Sequence, residues 1–199
     1  DGNTWTPKRQ VGDPGNWLWR ISWHAGTAYG FGYGCGTSDR GLRLFKSSDG
    51  DTFETLIERV NVEGTYPNET SIVFLPDEMA LCLLRQDGQP NSGYIGKSRP
   101  PYTEWNWTSL GVRIGGPDMI QLPSGGFVAV VRLYDPPVRT SLCWLDPENG
   151  TLTETLKLPS GGDTSYAGLV WHDDLLWISY YSSHEGKTSI YLARVRFEN

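Results

Sequence analysis

Short apolar runs, rich in β-branched and aromatic residues, alternate along the chain with clusters of Gly, Pro, Asp and Asn. No segment sustains the three-to-four-residue spacing of an amphipathic helix, so the pattern predicts an all-β protein. Four segments align with one another: NWLWRISWHAGTAYGFGYG from Asn16, NETSIVFLPDEMALCLLR from Asn68, GPDMIQLPSGGFVAVVR from Gly116 and SYAGLVWHDDLLWISYY from Ser165. Each reads as a strand, a short turn (HAGT, LPDE, LPSGG or HDD) and a second strand. A third strand follows each pair: LRLFKS from Leu42, GYIGKS from Gly93, TSLCWLD from Thr140 and TSIYLARV from Thr188. Turns such as SSDGDTF, SRPPYTEW and DPENGTL then lead to a fourth strand, as in ETLIERV from Glu54.

Trp23, Phe74, Leu122 and Trp171 mark the repeat at intervals of 51, 48 and 49 residues. Repeats of this length with four strands each predict a β-propeller of four-stranded blades. Four blades are expected within residues 1–199, the last ending after its third strand. The opening DGNTW matches the end of the SSDGDTF turn, so the repeat is entered partway through. The expectation is therefore a partial propeller, four blades of six, with earlier blades ahead of Asp1. A complete four-bladed ring is the alternative.

Composition narrows the partners. Asp and Glu number 23 against 17 Lys and Arg, a net charge of −6. With no basic stripe, this excludes a nucleic-acid partner. No apolar run approaches roughly 18 residues, so no membrane span is predicted. Nine Trp and ten Tyr supply flat faces that fill β cores and also stack on sugars. Cys82 and Cys143 lie in strand-like runs and read as buried free thiols. Cys35 makes the count odd, and no Cys/His spacing suggests a metal site. No cofactor is implied. Asn68, Asn106 and Asn149 head N-x-S/T triplets, which are too common by chance to carry weight.

The turn S-x-D-G-x-T-[WF], with Ser47, Asp49 and Phe53 and a truncated copy at Asp1 and Trp5, resembles the Asp box of the sialidase (neuraminidase) superfamily. That box is a folding device, in which Ser and Asp bond turn N–H groups and the aromatic wedges between strands. A more specific resemblance lies elsewhere. Glu69 is followed 16 residues later by Arg85, Arg139 opens a third strand, and Tyr166 follows Arg139 by 27. The order Glu, Arg, Arg, Tyr is similar to that of sialidases, although the Arg85–Arg139 interval is shorter than usual. Independently, Glu69 is five residues before Phe74 and Tyr166 five before Trp171, which predicts equivalent places at the start of an innermost strand, beside the funnel.

The resemblance implies an exo-sialidase-like glycoside hydrolase acting with retention on terminal sialic acid glycosides. Tyr166 would be the nucleophile and Glu69 its base, while Arg85 and Arg139 would grip the substrate carboxylate. The chemistry suits these residues. Sialic acid carries a carboxylate on the reacting carbon, which would repel a carboxylate nucleophile, and a neutral tyrosine avoids that repulsion. A free phenol has a pKa of about 10, so it needs a base beside it. The planar guanidinium matches a carboxylate bidentately and keeps its charge. The resemblance places the remaining arginine and the acid that protonates the leaving group ahead of Asp1. It also implies a glycan or sialoside substrate and a secreted or periplasmic location.

One departure stands out. Where the family carries an acid that holds an arginine, this chain has Tyr180 and Tyr181, with Glu185 a few residues on. Other candidates are Arg132, a second-strand alternative to Arg139, and Arg20, for the funnel or a blade interface. His184 is a candidate for the pocket rim, and Asp118 and Asp163 are stand-in acids. His24 and His172 read as structural. Two rival readings stay open: a hydrolase of another sugar, and a non-catalytic carbohydrate-binding propeller.

Overall fold

The computed structural model describes residues 2–36 and 39–197, so Asp1 of the truncated turn lies outside the described residues. Among the described residues, sixteen strands form four antiparallel sheets, arranged as the blades of a β-propeller. The first blade comprises β1 (Asn16–Leu18), β2 (Ser22–His24), β3 (Thr27–Gly34), β4 (Leu42–Ser47) and β5 (Glu54–Ile57). The second has β6 (Pro67–Phe74), β7 (Ala80–Gln86), β8 (Tyr94–Ser98) and β9 (Asn106–Ser109). The third has β10 (Ile114–Gln121), β11 (Phe127–Leu133), β12 (Arg139–Asp146) and β13 (Thr151–Lys157). The fourth has β14 (Thr164–His172), β15 (Leu175–Ser182) and β16 (Ser189–Val195).

The strand sequences explain the stacking. Strand β7 reads ALCLL because both its faces are covered. Ala80, Cys82 and Leu84 join Phe31, Leu44 and Ile72 in the core between blades one and two. Leu81 and Leu83 join Ile114, Met119 and Val131 between blades two and three. Strand β11 repeats the device, sending Val128 and Val130 toward Leu176 and Ile178 of blade four. A sheet buried on both faces needs apolar residues at successive positions, which is why the middle strands do not alternate. Cys82 and Cys143 are buried free thiols within these cores.

The SSDGDTF turn closes blade one between β4 and β5. Asp49 Oδ1 accepts from the N–H groups of Thr52 (2.7 Å) and Asp51 (2.8 Å), and Ser47 Oγ accepts from that of Gly50 (2.9 Å). The bonds from Thr52, Asp51 and Ser47 hold the Asp49 carboxyl down at about 2. These groups are spent on the turn itself.

Each innermost strand is broken where it borders the axis. In blades two, three and four two residues oppose one: 68–69 face Arg85, 116–117 face Val131, and 166–167 face Tyr180. In blade one the interruption separates β1 from β2 at residues 19–21. Such bulges turn a strand and re-aim its side chains. They also correct the equivalence read from the sequence: Tyr166 heads its bulge, as Gly116 does, whereas Glu69 is the second residue of its own. The count from the strand aromatics slips because the blade-four hairpin turns through Asp173 and Asp174 alone, and the blade-two hairpin through residues 75–79.

Near the axis the buried Asp118 ties all four blades together. Its Oδ1 accepts from Ser71 Oγ of blade two at 2.8 Å, and its Oδ2 from Leu169 N of blade four at 3.2 Å. Arg20 of blade one pairs with Oδ2 at 3.1 Å and donates to the Ala167 carbonyl. Arg20 thus serves a blade interface. Burial pushes the Asp118 carboxyl up despite Arg20. Breaking a buried pair strands the remaining charge, so Asp118→Ala is expected to cost about 3 kcal/mol of unfolding free energy, read from the urea midpoint.

Candidate functional site

The bulge of β6 sets Glu69 in the funnel. Asn68 shapes it: its Oδ1 accepts from Glu69 N at 2.7 Å, and its Nδ2 donates to the Tyr66 carbonyl and to Asp87 Oδ2, both at 3.2 Å. Glu69 is 4% exposed, and its carboxylate joins three blades. Arg85 Nη1 of its own blade donates to Oε2 at 2.8 Å. Gly116 N of blade three donates to Oε2 at 2.9 Å, and Tyr166 OH of blade four donates to Oε1 at 2.8 Å.

Gly116 and Tyr166 head their bulges with φ of 52° and 53°. Gly116 needs to be glycine, because a Cβ there would lie 2.0 Å from Ser165 Oγ and 2.9 Å from Tyr166 N. Tyr166 adopts the same left-handed backbone with a bulky side chain, a conformation that costs on the order of 1–3 kcal/mol and clusters at functional sites. The residue is 43% exposed, yet its hydroxyl is bound to a buried carboxylate. Burial, the hydrogen bond to Glu69 and that group's negative charge push the phenol up to about 12, against partial relief from Arg85 and Arg132. Tyr166 therefore rests as a neutral phenol whose proton already faces an acceptor.

Three arginines ring this pair. Arg85 Nη2 reaches Asp87 Oδ2 at 2.7 Å, and Arg113 Nη2 reaches Asp87 Oδ1 at 3.1 Å. The Arg113 guanidinium lies 3.8 Å from the centre of the Tyr134 ring, and Arg132 lies 5.7 Å from the same centre. Arg132 Nη2 donates to Tyr181 OH at 2.8 Å and pairs with Asp163 Oδ1 at 3.2 Å. Tyr181 OH in turn donates to Asp163 Oδ1 at 2.7 Å. Tyr181, which stands where the resemblance expects an arginine-holding acid, thus holds Arg132 together with Asp163. Burial and the bond to Asp163 push its phenol up to about 12.

Glu69, Arg85 and Tyr166 are brought into one group. Arg139 is not. Its Nε and Nη2 bond Glu154 at 2.6 and 2.8 Å, and Nη1 bonds the Asp135 and Pro137 carbonyls at 3.0 and 3.1 Å. Its guanidinium is consumed within blade three, and Arg132, seven residues earlier on β11, takes the place beside Tyr166. Parity along the hairpin decides this: Arg132 is opposite Gly115, next to the bulge, whereas Arg139 is opposite Leu133 at the strand end. His184 bonds Ser182 and packs on Tyr191, and Glu185 accepts from Tyr191 OH. His24 stacks on Phe74 at 4.5 Å, and His172 pairs with Asp173 on an exposed turn. Asp87, Arg113 and Tyr134 were not singled out from the sequence; the IGGP run at 114–117 was the one local signal for the blade-three bulge. Among the described residues, no cluster of His, Cys, Asp and Glu could hold a metal ion, and no helix is long and apolar enough to cross a membrane.

No protein-family model matches the chain, and no curated protein matches it in sequence. Solved structures do match in fold. A protein of unknown function from Dyadobacter fermentans superposes with a TM-score of 0.78 at 18% identity, over 89% of this chain and 52% of its own. A GH43 β-1,3-galactosidase gives 0.68 at 11% identity, over 90% and 79%. An endo-1,4-β-xylanase from Bacteroides thetaiotaomicron gives 0.67 at 10% identity, over 90% and 69%. The chain spans about half the length of the first of these. At such identities the likeness is one of fold: a β-propeller shared with glycoside hydrolases.

Two outcomes are expected from titration. The difference between wild-type and Tyr166→Phe ultraviolet spectra should place the Tyr166 phenol near 12, and Glu69→Gln should lower it by removing a neighbouring negative charge. The Arg139 hydrogen bond holds the Glu154 carboxyl at about 2, below its ordinary 4.5. A depressed carboxyl stabilises the fold above its unfolded pKa, and the gain is lost as pH falls through the folded one. Glu154→Gln should therefore be less stable than wild type at pH 7, with the gap closing between pH 4.5 and 2 in thermal melts.

Proposed function

We propose that this propeller is a retaining glycoside hydrolase in which Tyr166 is the nucleophile and Glu69 its base, acting on a terminal sialic or related keto-acid glycoside. The observation that carries the reading is a strained, half-exposed tyrosine whose hydroxyl is bonded at 2.8 Å to a buried carboxylate. As Tyr166 Oη bonds the anomeric carbon, Glu69 Oε1 takes the phenolic proton and the glycosidic C–O bond breaks, the leaving oxygen departing as an aryl oxide or taking a proton from solvent. Water then attacks that carbon and gives up its proton to solvent, the tyrosyl C–O bond breaks, and Glu69 returns its own proton to the phenolic oxygen. Arg85 and Arg132 flank Tyr166 and would receive the substrate carboxylate, the role that the sequence pattern had suggested for Arg139. The propeller shared with galactosidase and xylanase structures supports a hydrolase of this general class.

One observation favours a neutral sugar instead. Arg85, Arg113 and Arg132 already face Asp87 and Asp163, so a substrate carboxylate must compete for them.

Aryl glycosides separate the two readings, since an aryl oxide leaves without a protein acid. Release of 4-methylumbelliferone from its sialoside, galactoside and xyloside should be fastest for the sialoside. Glu69→Gln should lower that rate about 10²–10⁴-fold and Tyr166→Phe at least as much. Turnover of a neutral glycoside alone would move the substrate class, and Tyr166→Phe without loss of rate would remove the mechanism.

A further inference from the structure

Apart from Arg20, which is tied to Asp118 and the Ala167 carbonyl, blade one presents a wall of aromatic rings to the cluster around Tyr166. Trp17 on β1 and Tyr33 on β3 are direct cross-strand partners, with rings 6.1 Å apart and inclined by only 25°. Tyr33 is buried at 5% exposure, while Trp17 is 52% exposed. Trp17 therefore has one face backed by protein and the other turned to solvent. Trp19, in the interruption between β1 and β2, stands 5.4 Å from Trp17 and 5.4 Å from Tyr166. Two ring-to-ring steps thus lead from the exposed indole to the nucleophile. Burial and the charge of Glu69 both raise the Tyr33 phenol, which ties the wall to the same centre.

The core does not require this exposure. The partner of Trp17 on that face, Tyr33, is packed with Ile72 and Tyr94 of blade two, and Trp17 lies outside that cluster. A flat, rigid indole with one free face beside a polar site suits the apolar face of a sugar ring. Direction follows from charge. Arg85 and Arg132 stand on blades two and three, so an anionic sugar turns toward them. The bond's other partner then points to blade one.

We propose that Trp17, backed by Tyr33 and aligned by Trp19, is a subsite for the neutral sugar on the leaving side of the scissile bond. The inference rests on reading Tyr166 as a glycosidase nucleophile. It makes the protein an enzyme selective for oligosaccharides, because the stacked ring contributes binding that a simple aryl aglycone does not reproduce.

The test compares sialyllactose with 4-methylumbelliferyl sialoside. Trp17→Ala should lower kcat/KM at least about tenfold more on sialyllactose than on the aryl sialoside, with the loss in KM. Trp17→Tyr should restore most of it by supplying a ring. Equal losses on both substrates, or no loss on either, overturns the subsite. A second measurement is independent of catalysis. The wild-type chain, labelled with 5-fluorotryptophan, is titrated with lactose, galactobiose and xylobiose, and the Trp17 fluorine resonance is assigned by its absence from Trp17→Tyr. A saturable shift of that resonance supports the subsite even if no sialoside is cleaved, in which case the hydrolase reading alone has failed. A Trp17 resonance unmoved by all three sugars overturns the subsite whatever the activity.

Discussion

The Glu69 carboxylate is the joint on which the rest depends. It is buried, and it receives a guanidinium from its own blade, a main-chain N–H from the next and a phenol from the one after. A lone buried carboxylate would be driven to take up a proton, and a buried ion pair gains little unless its remaining lone pairs are satisfied. Here both oxygens are engaged. The same satisfaction that makes the charge tolerable fixes blades two, three and four relative to one another around the funnel. Asp118 does the corresponding work among Ser71, Leu169 and Arg20. Apolar cores between the blades supply cohesion without direction, and the two carboxylates supply the register.

Strain enters at the same place. The inner strands cannot run straight past the axis, and each is interrupted there. Blade three meets the demand with glycine, and blade four meets it with Tyr166 in a left-handed conformation. The tyrosine conformation persists because the ring packs between Trp19 and Tyr181 and the hydroxyl is anchored on Glu69. The backbone is thus held in an unfavourable well that presents one hydroxyl to one carboxylate.

Around this pair the charges balance. Arg85, Arg113 and Arg132 face Glu69, Asp87 and Asp163, with Tyr134 and Tyr181 between them. The cations are oriented before any ligand arrives, so binding need not order them. Blade one borders this polar group with the rings of Trp17, Trp19 and Tyr33.

The repeat, the four blades and the double-faced middle strands were legible in the sequence, because strand period and burial act locally: ALCLL and VAVV leave no polar face. Glu69, Arg85 and Tyr166 were singled out from their order and spacing. The spacing failed at Arg139, which opens the third strand of its blade and was preferred for that context, whereas Arg132 near the end of the second strand is the one placed next to the bulge. It also aligned Tyr166 with Glu69 one residue out of step, because two hairpins of different turn length were counted as one. Sequence by itself determined the architecture and the supply of chemistry. Only the tertiary structure decided which arginine stands beside the phenol, which glycine donates to the carboxylate, and that an indole on blade one is left open, since bulges re-aim side chains and the contacts that fix them join residues 47 to 147 positions apart.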